Sequence, residues 1–315
     1  MTLTQLQKLQ VKSIDENGLE SRVGNTPLLQ IRRLSAGLHP GVRVFAKAEW
    51  FNPGGSIKDR AALNIIRTAL REGWLGSGKR LLDSTSGNMG IAYATFGAAM
   101  NIPVTLCVPS NASPERITML RALGAEIILT DPSSGSDGAI VQARKLAKEQ
   151  PELYWYANQY DNPANWQSHY LTTGPEILAQ SGGEITHLVV GLGTSGTLMG
   201  AGRYLREHVA GVKIVAVEPD DAFHGLEGLK HIPTAIKPGI YEPSFADRML
   251  EVRTEAAHAM VRALGRQEGL FVGISSGAVM VATMRIAREL KEGTLVTVFP
   301  DAGYKYLSDR ALWAG

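Results

Sequence analysis

The chain reads as an α/β protein of two doubly wound domains, each with a largely parallel central sheet flanked by helices. Three features of its 315 residues point that way. Apolar runs with strand character alternate with stretches of helical period. Several of those runs are continuous rather than alternating in polarity, as expected of strands buried on both faces of a parallel sheet. The 34 glycines cluster in short loops between these runs, the habit of a backbone that comes close to a ligand.

The apolar runs predict strands over 42–48, 80–83, 103–108, 126–130, 187–191, 213–218 and 294–299. Helical patterns lie between them, over 59–72, 89–100, 114–123, 138–149, 196–208, 254–267 and 278–290. Ser113 followed by Pro114 and Glu115 reads as an N-cap with proline at the first helical position, and Gly124 closes that helix. The polar stretch 131–137 reads as a plain loop, and the turn-rich DNPAN at 161–165 is placed near a domain boundary. The stretch 220–247 carries several Gly and Pro residues, and it is long for a loop without structure of its own; such loops are often functional.

The length suits about two domains and a core that needs no disulfide staple. Thirty-two Lys and Arg against 30 Asp and Glu give a net charge of +2, which argues against a nucleic-acid binder. No apolar run is long enough to span a bilayer, so no membrane association is expected. The start, MTLTQLQKLQ, lacks the apolar segment of a secretory signal, and the single Cys107 forms no internal disulfide. A cytoplasmic protein is the expectation. Cys107 lies inside an apolar strand and reads as a core residue. No H-E-x-x-H pair or other metal-ligand spacing occurs, so no metal site is expected.

Five glycine-rich or hydroxyl-rich turns stand out. Gly191-Leu192-Gly193-Thr194-Ser195-Gly196 follows the strand HLVVG and opens a helix. Free N–H groups at a helix start bind phosphate, and glycines let the ligand approach. With Glu218 at the end of the next strand, this patch alone also suits a nicotinamide dinucleotide site. The hydroxyls of Thr194, Ser195 and Thr197 suit a terminal phosphate monoester held at several oxygens. GWLGSGK at 73–79 imitates a P-loop, but Arg80 stands where Ser or Thr is required and the segment follows a helix, so it reads as a helix-terminal loop. In NPGGSIKDR at 52–60, Lys58 falls in the first turn of a helix, an electropositive place that disfavours a cation. A lysine of lowered pKa is a nucleophile for carbonyls, although spacing alone favours a solvated surface charge. STSGNMG at 84–90 brings hydroxyls, an amide and free N–H groups together, as a carboxylate-binding nest requires, or as an ordinary N-cap loop does. The fifth is Gly273-Ile274-Ser275-Ser276-Gly277-Ala278.

Together these motifs are far more specific than any one of them. NPGGSIKDR, TSGNMG, GLGTSGT and GISSGA, in this order and at these intervals, resemble the cysteine synthase family of fold-type II pyridoxal-phosphate enzymes. The resemblance runs from VGNTPLL at Val23 to DAGYKYLS ending at Ser308, and is strongest to the cysteine synthase M group, some members of which accept O-phosphoserine.

The resemblance implies pyridoxal 5′-phosphate bound as a Schiff base on Lys58, which then acts as the general base. It implies that Asn88 bonds the cofactor's 3′ oxygen. Gly193, Thr194, Ser195, Gly196 and Thr197 would hold its phosphate, and Ser275 would face the pyridine nitrogen. Thr85, Ser86, Gly87, Met89 and Gln159 would meet the amino-acid substrate. The implied reaction is β-replacement on O-acetylserine or O-phosphoserine by sulfide or a thiol, through an aminoacrylate, giving cysteine. The implied assembly is a homodimer. The implied division is a smaller domain over 52–162, a larger one over 20–51 plus 163–315, and an extension over 1–19. Within the class, cystathionine- or diaminopropionate-forming enzymes and dehydratases are alternatives, and a nicotinamide oxidoreductase is the rival from another class.

Two departures from the family pattern bear on substrate choice. Ser84 and Met89 stand where the family usually has proline and threonine, and Met89 exchanges a hydroxyl for bulk. HGLEGLKHIPTAIKPGIYEP at 224–243 replaces the family's glycine-rich active-site loop. Lys230 there, with His224 and His231 beside it, is either an anion-binding group for a leaving phosphate or a solvated charge.

Overall fold

The computed structural model describes residues 18–76, 78–85 and 87–314. The predicted extension over 1–19 therefore lies outside the described residues except for Gly18 and Leu19, and Ser86 lies outside them as well. In chain order the elements are β1 (Leu28–Gln30), β2 (Gly41–Ala48), α1 (Lys58–Arg71), β3 (Arg80–Ser84), α2 (Asn88–Ala99), β4 (Val104–Pro109), α3 (Pro114–Ala122), β5 (Glu126–Thr130) and α4 (Gly135–Glu149). There follow β6 (Tyr154–Tyr156), α5 (Pro163–Ser168), α6 (Gly174–Gln180), β7 (His187–Gly191), α7 (Gly196–His208), β8 (Lys213–Pro219), β9 (Arg248–Val252), α8 (Thr254–Ala263), α9 (Ile274–Glu289), β10 (Glu292–Phe299) and α10 (Arg310–Trp313).

The strands form two sheets. One has six strands in the order β1-β2-β10-β7-β8-β9, and the other has four in the order β5-β4-β3-β6. Every pairing is parallel except β1 with β2. Both faces of each sheet are covered, which is why the strands carry continuous apolar runs. Along β7, Val189 packs with Val279 and Met280 of α9 on one face. Leu188 and Val190 pack with Leu198 and Met199 of α7 on the other. In the smaller sheet, Leu81 and Leu106 meet Ile65 and Ile66 of α1 and Phe96 of α2, while Leu82 and Cys107 meet Ala139 and Ala143 of α4. Cys107 is thus a core residue, and burial pushes its thiol up to about 12.

Some expectations need correction. Strands β1 (LLQ), β6 (YWY) and β9 (RMLEV) fall outside the predicted set; each lies at a sheet edge, and each is either only three residues long or interrupted by charged residues, unlike the edge strand β5, whose EIILT keeps an apolar run. Helices α5 and α6 and the π-helical turn His169–Thr173 between them are likewise additional. Pro163 and Pro175, which break a periodic pattern when read along the sequence, sit in the first turns of α5 and α6 where proline is tolerated. The supposed loop 131–137 is a 3₁₀ turn, Pro132–Ser134, running into α4. Ser113 does precede α3, but its hydroxyl makes no capping hydrogen bond. Helix α9 begins four residues before the predicted start, so Ser275 and Ser276 lie inside its first turn. The stretch between β8 and β9 is irregular, as expected.

Candidate active site

The loops at the carboxyl ends of the strands of both sheets converge on one cleft, lined among others by Lys58, Thr85, Met89, Gln159, Thr194 and Ser275. Ligands bind outside the carboxyl ends of parallel strands because the loops and helix N-termini gather there.

Lys58 is the first residue of α1. The turn before it is anchored to the end of β10 and to the segment that follows. Ile57 N–H donates to the Pro300 carbonyl at 2.9 Å, Lys305 Nζ donates to the Gly54 carbonyl at 3.0 Å, and Gly54 N–H donates to Asp59 Oδ2 at 2.5 Å. Burial pushes the Lys58 ammonium below its ordinary range, with Asp301 opposing that shift. The surface-charge alternative therefore gives way to an amine that lines the cleft and whose charged form burial disfavours.

The Gly193–Thr197 turn forms the start of α7. Ser195 adopts the left-handed conformation, φ +65°, which for a residue other than glycine is sustained only by its surroundings. A side chain at Gly193 would place its Cβ 2.3 Å from the Gly228 carbonyl, and one at Gly196 would lie 2.0 Å from Asn165 Oδ1. Gly228 belongs to the irregular 220–247 segment, which packs along the turn through Lys230 N–H to the Leu192 carbonyl at 2.7 Å. The result is a close-fitting cradle of helix-start N–H groups and the hydroxyls of Thr194, Ser195 and Thr197, suited to a phosphate. Glu218, which a dinucleotide reading needs for a ribose, instead accepts from Ile232 N–H at 3.0 Å.

Facing this cradle is the turn into α2. Thr85 Oγ1 accepts from Gly87 N–H at 3.1 Å and Gly90 N–H at 3.0 Å. Asn88 is held at both ends: its Nδ2 donates to Asp301 Oδ2 at 2.6 Å and its Oδ1 accepts from Lys305 Nζ at 2.8 Å. Met89 is buried at the cleft wall. Gln159 Nε2 donates to the Ser84 carbonyl at 2.7 Å. Lys230 also reaches the cleft, but its Nζ pairs with Asp137 at 2.8 Å and lies over the Tyr160 ring at 4.9 Å. His231 bonds Thr234 nearby, and His224 accepts from Leu226 N–H.

Sequence reasoning did not single out Arg116, Glu227, Asp83 or Asp301. Arg116 of α3 lines the cleft and pairs with Glu227 of the irregular segment, with 2.9 Å between Nη1 and Oε1. An S-x-E-R at a helix start gives no local sign that its arginine turns inward.

Fold and site define the class: a two-sheet α/β protein in which a half-buried lysine and a glycine- and hydroxyl-rich helix start line one cleft. The model of the pyridoxal-phosphate dependent enzyme family matches residues 19–301. The cysteine synthase of Aquifex aeolicus is 48% identical over 291 residues, covering 91% of this chain and 89% of its own. A solved cysteine synthase from Entamoeba histolytica superposes with a TM-score of 0.89 at 36% identity, covering 96% of this chain and 91% of that one. An O-ureido-L-serine synthase superposes with a TM-score of 0.88 at 35% identity, covering 95% of each chain. The chain belongs to the cysteine synthase family of pyridoxal-phosphate dependent enzymes. Its cofactor is pyridoxal 5′-phosphate, and the cleft suits that group: Lys58 offers an amine, and the Gly193–Thr197 turn at the start of α7 lines the same cleft with hydroxyls and helix-start N–H groups of the kind that bind phosphate.

Proposed function

We propose that this chain makes L-cysteine by β-replacement on an activated serine with sulfide or a thiol donor, as a transferase. The observation that carries this reading is the convergence on one cleft of the Lys58 amine, the phosphate cradle and the Thr85–Gln159 cluster. When bound, the cofactor supplies an electron sink for a carbanion at the substrate α-carbon. Lys58, once free of the cofactor, would take the α-proton at Nζ; burial lowers its pKa, which favours the neutral amine that a base requires. Gly193, Thr194, Ser195, Gly196 and Thr197 hold the phosphate, Asn88 the 3′ oxygen, and Ser275 the ring nitrogen. Thr85, Ser86, Gly87 and Gln159 receive the substrate carboxylate, and Met89 limits room beside it.

Besides Lys58, the cleft is lined by Lys230 and Arg116, which already carry Asp137 and Glu227. Those acids already neutralise the two cations and would repel a doubly charged leaving group, so we take O-acetylserine as the preferred substrate over O-phosphoserine. A division at 52–162, against 20–51 plus 163–315, is supported by the sheets, since the strands of each fall within one part. We also infer a cytoplasmic homodimer; no helix among the described residues is long and apolar enough to cross a membrane.

The test is cysteine formation by the purified, cofactor-loaded protein with sulfide and each serine ester in turn. Turnover with O-acetylserine is expected. Turnover with neither ester would overturn the reading. Preference for O-phosphoserine, lost in Lys230→Ala, would return Lys230 to the leaving-group site.

A further inference from the structure

We propose that Asp83 is a positioning residue for the amino-acid substrate: its buried carboxylate at the end of β3 fixes the backbone of Gln159, and so aims the Gln159 side chain at the substrate carboxylate. The proposal rests on the reading above that Gln159 receives that carboxylate.

Asp83 is fully buried, and among the described residues no ion pair joins it. Its oxygens accept three hydrogen bonds, all from neutral groups. Oδ1 takes the N–H of Ser84 at 2.8 Å. Oδ2 takes the Tyr93 hydroxyl of α2 at 2.9 Å and the N–H of Gln159 at 3.1 Å. Burial pushes the Tyr93 phenol well above its ordinary value, so it remains a donor. A carboxylate in such a place is costly without hydrogen-bond donors, and three donors from three separate segments offset part of that cost.

Gln159 needs that support because it lies in no regular element. It follows Asn158, which is in the left-handed region at φ +49°. Its own carbonyl accepts from Asn165 Nδ2 at 2.7 Å, and the same Nδ2 donates to Thr194 Oγ1 at 3.1 Å in the phosphate cradle. A continuous chain of bonds therefore runs from Tyr93 through Asp83, Gln159 and Asn165 to Thr194. It ties the substrate side of the cleft to the cofactor side, with Asp83 as the member that only a pure acceptor can replace. The two backbone donors, Ser84 and Gln159, cannot reverse. An asparagine at 83 can keep one of them but must turn its amide N–H₂ toward the other.

The experiment is steady-state kinetics of cofactor-loaded Asp83→Asn, Tyr93→Phe and Gln159→Ala with O-acetylserine and sulfide. Asp83→Asn is expected to raise KM for O-acetylserine about tenfold, the scale of one unsatisfied buried group, while kcat and the KM for sulfide change less than about threefold. Tyr93→Phe leaves Asp83 in place with one donor fewer and is expected to raise the same KM about two- to threefold. If Asp83→Asn folds, binds cofactor and keeps its KM, while Gln159→Ala raises it, the positioning role is wrong and the substrate reading stands. If Gln159→Ala itself leaves KM unmoved, the substrate reading fails first. If Asp83→Asn does not fold, Tyr93→Phe decides, and an unchanged KM there overturns the proposal.

Discussion

Among the carboxylates around the candidate site, the Glu49–Glu176 pair and Asp83 are stabilised in opposite ways. Glu49 and Glu176 share cations. Arg60, two residues after Lys58, donates Nε to Glu49 Oε2 at 2.7 Å and Nη1 to Glu176 Oε1 at 2.6 Å, and Lys47 Nζ meets Glu176 Oε2 at 2.6 Å. Asp83 has only neutral donors. The electrostatic outcome follows. Cationic partners outweigh burial at Glu176 and hold its carboxyl down at about 2, whereas burial prevails at Asp83 and pushes it up to about 7. The charged group joins β2, α1 and α6 behind the lysine and serves as a rigid joint. Asp83, held by neutral donors alone, costs stability as it ionises.

This contrast can be broken at several points. The largest expected effect involves neither cluster. Lys58→Ala should lower turnover by about a thousandfold or more, the range of a lost general base and nucleophile. Unfolding of the cofactor-free forms should be barely altered. A comparable loss of stability would mean that Lys58 is part of the joint rather than of the chemistry.

Next in size is Arg60→Ala, which leaves Glu49 and Glu176 buried with one cation fewer. It should cost about 3–5 kcal/mol in denaturant unfolding. Asp83→Asn, which strands a single neutral contact, should cost about 1–3 kcal/mol. Equal losses would show that charge pairing adds nothing to the joint.

The pH dependence of stability separates the groups by sign. The folded pKa of Glu176 is depressed, so its contribution of about 3 kcal/mol is present above the ordinary glutamate range and is lost as pH falls toward 2. Glu176→Gln should flatten the acid limb of a stability–pH curve. The folded pKa of Asp83 is raised, so its contribution is full below about pH 4 and is lost as pH rises through about 7. Asp83→Asn should remove that decline.

The smallest effect is expected at Thr85→Val, which withdraws the acceptor from Gly87 N–H and Gly90 N–H and should cost about 1–2 kcal/mol in thermal or denaturant unfolding. No change would mean that water replaces the hydroxyl at the α2 turn.

Much of the cleft was legible because its motifs are local. A glycine-hydroxyl turn between an apolar strand and a helix can be read from consecutive residues, and the predicted strands 126–130 and 187–191 and helix 196–208 coincide with β5, β7 and α7. The combination of motifs also carried the family. The edge strands β1, β6 and β9 were not legible, since a strand of three residues, or one interrupted by charges, is defined by its neighbour, whereas the edge strand β5 keeps an apolar run of its own. The inward turn of Arg116 toward Glu227, 111 residues away, left no local sign either.

By itself, then, the sequence determined the alternation of strand and helix, the order of the glycine- and hydroxyl-rich turns and the candidate lysine, because each depends on residues adjacent in the chain. Only the tertiary structure decided which charges are neutralised and which backbone is held. Lys230 meets Asp137, Glu218 turns to Ile232, and Asp83 reaches Gln159, 76 residues on. These are long-range pairings, and a buried polar group takes its partner from whatever the fold brings within hydrogen-bond distance.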